Sequence, residues 1–300
     1  MSDQLEKLLK YLEVERIDKY LFIGNSPSRP RRVFGGQVLA QALNAAIRTV
    51  EEERSPHSMH GYFLRPGNPA KQIVYEVDPI RDGRSFTTRR VVAKQDGVAI
   101  FNTSVSFHVQ EDGLSHQFEL PRVPPPEELE TDESYYARME KENPGLIHIP
   151  RIGPRERRPV ARRNHLDPEP TEPEQHIWFR VLGDLGDDPC RHQTVLAFIS
   201  DFALLGAALL PHPYTGASKT IQAASLDHGL WFHRPFRADE YLLYSMDSPT
   251  AEGARGFSRG SFYTRDGLVV ASTVQESLLR LSLIHISEPT RQLTQSRSAR

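Results

Sequence analysis

Leu5, Leu8, Leu9 and Leu12 recur among charged residues, a spacing that predicts an amphipathic helix over residues 3–13. A second helix is predicted from Phe34-Gly35-Gly36-Gln37 through Ile47. Its Ala, Leu and Gln favour helix, and Leu39, Ala42, Leu43, Ala46, Ile47 and Val50 form one wide apolar stripe. The period then falls to two, and strands are predicted over about 57–64, 71–79, 85–94 and 98–109, with turn residues between them. After a long interruption the order returns. A strand near 176–182 precedes an apolar helix over 202–210 and strands over about 220–232, 240–248, 254–264 and 267–281.

The second series repeats the first at a near-constant offset of about 170 residues. Arg65-Pro66 matches Arg234-Pro235, Tyr75 matches Tyr244, and Asp96-Gly97 matches Asp266-Gly267. Each half is one helix followed by an antiparallel meander, an α+β unit. A helix and sheet of this size bury too little surface alone, so the halves are expected to pack together.

Between them, residues 110–175 hold eleven of the 23 prolines, with the charge cluster Arg155-Glu156-Arg157-Arg158. This predicts a linker or irregular excursion whose basic residues are solvated and offset by nearby acids. Composition adds bounds. Hydrophobic residues make up 38% of the chain and charged residues 25%, as in a globular protein with a sizeable core. A net charge of −2 gives no reason to expect nucleic acid. The one cysteine, Cys190, excludes an intramolecular disulfide and suits a reducing compartment, expected to be cytoplasmic. The first residues lack the basic-then-apolar order of a signal peptide, and no apolar run reaches the length of a membrane span.

Differences between the copies point to chemistry. In the last strand, Ala99, Phe101, Thr103, Val105 and Phe107 share one face. Their counterparts are Val269, Ala271, Thr273, Gln275 and Ser277, so Gln275 replaces Val105 on a face fit for burial. Such an amide is either satisfied by backbone or used. Aligning the helices sets Asp201 opposite Gly35, where Asp201 opens the second helix as an N-cap or as a carboxylate beside free N–H groups. Ser225, before Leu226-Asp227-His228, is either an ordinary strand hydroxyl or a third member of the set. Gly256-Phe257-Ser258-Arg259-Gly260 fits a nucleophile elbow in letters, but it is predicted to lie within a strand, the wrong context. The histidines lack metal-ligand spacing, so no metal is expected. Gly35-Gly36 is expected to permit close packing at the helix entry.

Phe34-Gly35-Gly36-Gln37, His60-Gly61-Tyr62-Phe63-Leu64-Arg65-Pro66-Gly67, Asp227-His228-Gly229-Leu230-Trp231-Phe232-His233-Arg234-Pro235-Phe236 and Ala271-Ser272-Thr273-Val274-Gln275-Glu276 resemble the acyl-CoA thioesterase II family, in order from about residue 3 to 281. The resemblance implies a double hot-dog fold and hydrolysis of fatty acyl-CoA to fatty acid and CoA, without a cofactor. It implies an attacking water held by Asp201, Ser225 and Gln275, and a homo-oligomer, dimer or tetramer. The expected units are residues 1–110 as the N-terminal repeat, 111–175 as the connecting segment and 176–281 as the C-terminal repeat carrying the site. Residues 282–300, with Leu283-Ile284-His285-Ile286-Ser287-Glu288-Pro289-Thr290-Arg291, read as a tail that is not native. The closing Ser298-Ala299-Arg300 is not the S-K-L peroxisomal signal that some relatives carry, which says little if the true end is lost. Three other readings stand beside this one. They are a non-catalytic acyl-CoA or lipid carrier on the same fold, an acyl-enzyme on Ser225 with His228 as base, and a hydroxyacyl-CoA dehydratase, which would need a His beside Asp201.

Overall fold

The computed structural model describes residues 3–27, 32–145, 154–164, 167–216 and 218–281. The expected tail over 282–300 lies outside the described residues. The first repeat comprises α1 (Asp3–Leu12), β1 (Glu15–Asp18), β2 (Leu21–Gly24), α2 (Gly35–Ile47), β3 (Arg54–Phe63), β4 (Ile73–Asp82), β5 (Phe86–Gln95) and β6 (Val98–Val109). The connecting stretch carries α3 (Asp132–Glu142) and β7 (Arg155–Pro159). The second repeat comprises β8 (Glu174–Val181), α4 (Pro189–Ser200), α5 (Leu204–Ala207), β9 (Ile221–Ser225), β10 (Asp227–Phe232), β11 (Leu242–Glu252), β12 (Arg255–Thr264) and β13 (Val269–Leu281).

All described strands join one antiparallel sheet, in the order β1-β2-β4-β5-β6-β3-β10-β13-β12-β11-β8-β7, with β9 also paired to β13. The order on one side of the β3–β10 junction mirrors the order on the other. There the halves pair edge to edge, Gly61 opposite His228 and Met59 opposite Leu230. Closing the two edges against each other removes the exposed edge that each four-stranded meander would present alone.

The sheet wraps α2 and α4, which pack on each other. This is the double hot-dog arrangement. Enclosure from both sides explains why α2 is buried on nearly every side, with Leu39, Ala40, Ala42, Leu43, Ala45 and Ala46 fully buried. Its two buried glutamines are satisfied. Tyr11 Oη donates to Gln37 Oε1 at 2.7 Å, and Tyr75 Oη donates to Gln41 Oε1 at 2.7 Å. Tyr244, the counterpart of Tyr75, is equally buried and donates to the Ser200 carbonyl at 2.9 Å.

Two expectations need correction. The second central helix is α4, not residues 202–210. Thr194, Val195 and Ile199 lower its intrinsic helix propensity, and Val195-Leu196-Ala197-Phe198-Ile199 reads as a buried strand. Its start signal was nevertheless present, because Asp188 accepts from Cys190 N at 3.0 Å and Pro189 occupies the first turn. Over 202–210 the chain instead turns through Ala203, in the left-handed region at φ 71°, and makes only the short α5. Second, Arg155-Glu156-Arg157-Arg158 is not a solvated loop. It lies in β7, where Glu156 pairs with Arg158 at 2.6 Å and Arg180 at 2.9 Å, and Arg157 pairs with Asp132 at 3.2 Å.

The stretch before α3 lies over the outer face of the second repeat. Leu120, Val123 and Leu129 pack on Trp178, Leu243 and Tyr263, and Trp178 Nε1 donates to the Pro124 carbonyl at 3.0 Å. Among the described residues, no helix is long and apolar enough to cross a membrane.

Candidate active site

Asp201 does not open a helix. It follows Ser200 as the C-terminal cap of α4, which puts its carboxylate beyond the last turn. There it meets the beginning of α2 from the other repeat. Gly36 N donates to Asp201 Oδ2 at 2.8 Å. The residue preceding α2, Phe34, offers no side-chain cap. An Asp from the second repeat therefore supplies the anion that the first repeat's helix dipole favours. Side chains would crowd this meeting point. A Cβ on Gly35 would lie 2.6 Å from Asp201 Oδ2, and one on Gly36 would lie 2.4 Å from the Phe198 carbonyl oxygen. The close packing expected of Gly35-Gly36 is thus between the helices of the two repeats.

Ser225 ends β9. Leu226 interrupts the strand, and Asp227 Oδ1 accepts from Glu276 N at 2.6 Å across the break. Ser225 Oγ then donates to Asp201 Oδ1 at 3.4 Å. Gln275 projects inward from β13, fully buried, and its Nε2 donates to Ser225 Oγ at 2.9 Å and Ser277 Oγ at 3.0 Å. The amide is satisfied by side chains, so the alternative of a core Gln held by backbone does not describe it. Asp201, Ser225 and Gln275 form one connected set, with Asp201 and Ser225 half-buried at the opening and Gln275 beneath them.

Behind Gln275 stands His228, fully buried, with Nδ1 2.9 Å from Gln275 Oε1 and Nε2 2.9 Å from Ser200 Oγ. Both ring nitrogens are thus engaged away from Ser225, which leaves the reading of His228 as a base for a Ser225 nucleophile without geometry. Ser200, His228 and Ser277 were not singled out from sequence as partners of Gln275. A signal existed: across the repeat, His228 replaces Met59 as Gln275 replaces Val105, and Met59 and Val105 are direct partners on β3 and β6.

Electrostatics follow burial. Burial raises the Asp201 carboxyl to about 7, against the lowering by Gly36 N–H and Ser225. Burial lowers His228 to about 4, so its imidazole is neutral at neutral pH. Gly256 to Gly260 lies within β12, paired with β11 and β13, so it forms no elbow. No His, Cys, Asp and Glu cluster suited to a metal occurs among the described residues.

Family models add identity to this geometry. The model described as acyl-CoA thioesterase matches residues 153–278, and the acyl-CoA thioesterase N-terminal domain matches residues 25–108. The mouse protein acyl-coenzyme A thioesterase 8 is 40% identical, over 94% of this chain and 92% of its own length. This chain belongs to the acyl-CoA thioesterase family. Another family member, acyl-CoA thioesterase 2 of Haemophilus influenzae, is 36% identical over 94% of this chain and 100% of its own. Among solved structures, the acyl-CoA thioesterase II TesB2 of Mycobacterium marinum superposes with a TM-score of 0.77 at 38% identity, covering 92% of this chain and 99% of that one. A hot-dog protein from Alicyclobacillus acidocaldarius shares the fold, with a TM-score of 0.72 at 17% identity. This thioesterase thus has its two family matches on its two repeats, and its carboxylate and glycine pair at their junction.

Proposed function

We propose that this chain hydrolyses fatty acyl-CoA to free fatty acid and CoA through a water held by Asp201, Ser225 and Gln275. The observation that carries the reading is the connected run from Gln275 through Ser225 to a half-buried carboxylate that faces the start of α2. The ionised Asp201 takes a proton from the water as its oxygen adds to the thioester carbonyl. The oxyanion develops near the start of α2, where the helix dipole favours negative charge. Collapse breaks the C–S bond. The leaving thiol has an ordinary pKa of about 8.5, so it departs as thiolate with little help and takes up a proton afterwards. Ser225 orients the water, with Gln275 acting through its hydrogen bond to Ser225, and no cofactor enters.

Thiol release from a panel of acyl-CoAs tests the proposal directly. A non-catalytic carrier on the same fold would bind acyl-CoA tightly and release no thiol. We take the assembly to be a homo-oligomer, dimer or tetramer. Tyr62, 61% exposed opposite Asp227 at the junction of the repeats, supports this, and sedimentation checks it. The compartment is taken as cytoplasmic from the free Cys190, which a localisation experiment separates from a peroxisomal address.

A further inference from the structure

Gln275 is a symmetric-looking amide, and its usefulness depends on which end faces Ser225. With Nε2 toward Ser225, the Ser225 oxygen accepts from the amide and its own proton is free to point at Asp201 Oδ1. With the amide turned over, Oε1 would demand the Ser225 proton, and Asp201 would lose that donor. Ser277 does not decide between the two orientations, because a hydroxyl can either accept or donate. The group that can decide is the one on the other end of the amide, and that is His228.

We propose that His228, held by Ser200, is a positioning residue that sets the orientation of the Gln275 amide and so the direction of every proton in the site. The inference rests on the reading of Gln275 and Asp201 given above and names the machinery behind them. A neutral imidazole carries one N–H. If that proton is on Nδ1, it donates to Gln275 Oε1 at 2.9 Å, and Nε2 accepts the Ser200 hydroxyl at 2.9 Å. Ser200 is anchored for this. It is fully buried in the last turn of α4, and its carbonyl accepts from Tyr244 Oη. The Ala197 carbonyl, 2.9 Å from Ser200 Oγ, is the competing partner for the same proton.

With the proton on Nδ1 and the Ser200 hydroxyl turned from the Ala197 carbonyl to His228, the donors run one way: Ser200 to His228, His228 to Gln275, Gln275 to Ser225, Ser225 to Asp201. A buried chain of this kind is cooperative, each bond polarising the next. Burial also keeps the imidazole neutral, so a second N–H does not form to break the direction. The first repeat supplies the contrast. Met59 and Val105 occupy the matching places as an apolar pair, so the fold needs neither a histidine nor an amide there. A histidine buried to 1% exposure, joined to the amide that replaced Val105, is a paired substitution with a shared task.

The test is a cycle of variants assayed for thiol release with one long-chain acyl-CoA. His228→Met copies the first repeat and removes the donor to Gln275. It is expected to lower kcat about tenfold or more with KM within about twofold. His228→Asn, whose amide N–H stands near the place of Nδ1, is expected to restore most of that loss. His228→Met in a Gln275→Ala background should be no more than about twofold slower than Gln275→Ala alone, since His228 acts through that amide. Ser200→Ala should lower kcat several-fold without raising KM, and it carries the test if His228→Met does not fold. Wild-type kcat in His228→Met overturns the proposal, as do losses that multiply with Gln275→Ala and follow the melting temperature. Wild-type kcat in Gln275→Ala instead overturns the underlying assignment of the site, a failure recognisable because that variant leaves His228 intact.

Discussion

Gly36 and Asp201 are joined across the two repeats, the backbone N–H of one donating to Oδ2 of the other at 2.8 Å. The helix start that faces the carboxylate therefore belongs to the first repeat, and the carboxylate to the second. The first repeat is more than a packing partner, because its helix start and its Gly36 N–H face Asp201.

The glycine pair should separate activity from stability. Gly35→Ala places a methyl 2.6 Å from Asp201 Oδ2 and 3.0 Å from Phe63 Cζ, both ends of side chains that can move. It should lower kcat about tenfold or more by displacing the carboxylate, with a small change in melting temperature. Gly36→Ala meets the Phe198 backbone carbonyl at 2.4 Å, which cannot yield cheaply. It should cost about 1–3 kcal/mol in denaturant unfolding.

Asp201 must be ionised to act as base, and burial sets its carboxyl at about 7. The rate kcat/KM should therefore rise with pH through about 7 and level off above it. Asp201→Asn should abolish most turnover at every pH, and a wild-type rate in that variant would exclude Asp201 as the base.

Stability should move the opposite way. A carboxyl whose folded pKa is raised binds its proton more tightly in the folded state, so its ionisation destabilises the fold as pH rises from about 4 to about 7. Asp201→Asn should then be more stable than wild type above pH 7, by at most about 4 kcal/mol, and the gap should close as pH falls toward 4. Melting curves of both proteins from pH 4 to 9 test this.

Gln275→Ala removes the donor to Ser225 and leaves His228 Nδ1 without its partner. It should lower kcat about a hundredfold, with the fold intact by circular dichroism. Ser225→Ala should be similarly slow. Ser225→Thr, which keeps the hydroxyl, should retain activity within several-fold.

The outer face offers a control. Trp178, 3% exposed under Leu120, Val123 and Leu129, lies on the side of the sheet away from the helices. Trp178→Ala should cost about 3 kcal/mol or more in unfolding while leaving KM and kcat near wild type.

Much of the fold was legible because it is written in short-range pattern. Period-two alternation placed the strands of both meanders within a few residues, and the same alternation turned Gln275 inward. The sequence signals helix α4 weakly, because Thr194, Val195 and Ile199 set an apolar stretch that resembles a buried strand, and enclosure by the sheet and α2 overrides that propensity. The Ala- and Leu-rich stretch at 202–210 drew the helix assignment instead. It carries the higher propensity, but Ala203 takes the left-handed turn that ends α4 two residues after Asp201.

The duplicated order of strands and the inward amide follow from neighbours a few residues apart, and sequence alone shows them. The need for glycine at 35 and 36 comes from Asp201 and Phe198 of the other repeat. Which helix start meets Asp201 depends on a contact between residues 165 positions apart, formed only when the repeats pair through β3 and β10. The role of His228 likewise depends on which side chain lies behind Gln275 once the sheet closes. Local propensity acts over a turn or a strand, whereas the site is assembled by burial across the junction, which no local pattern encodes.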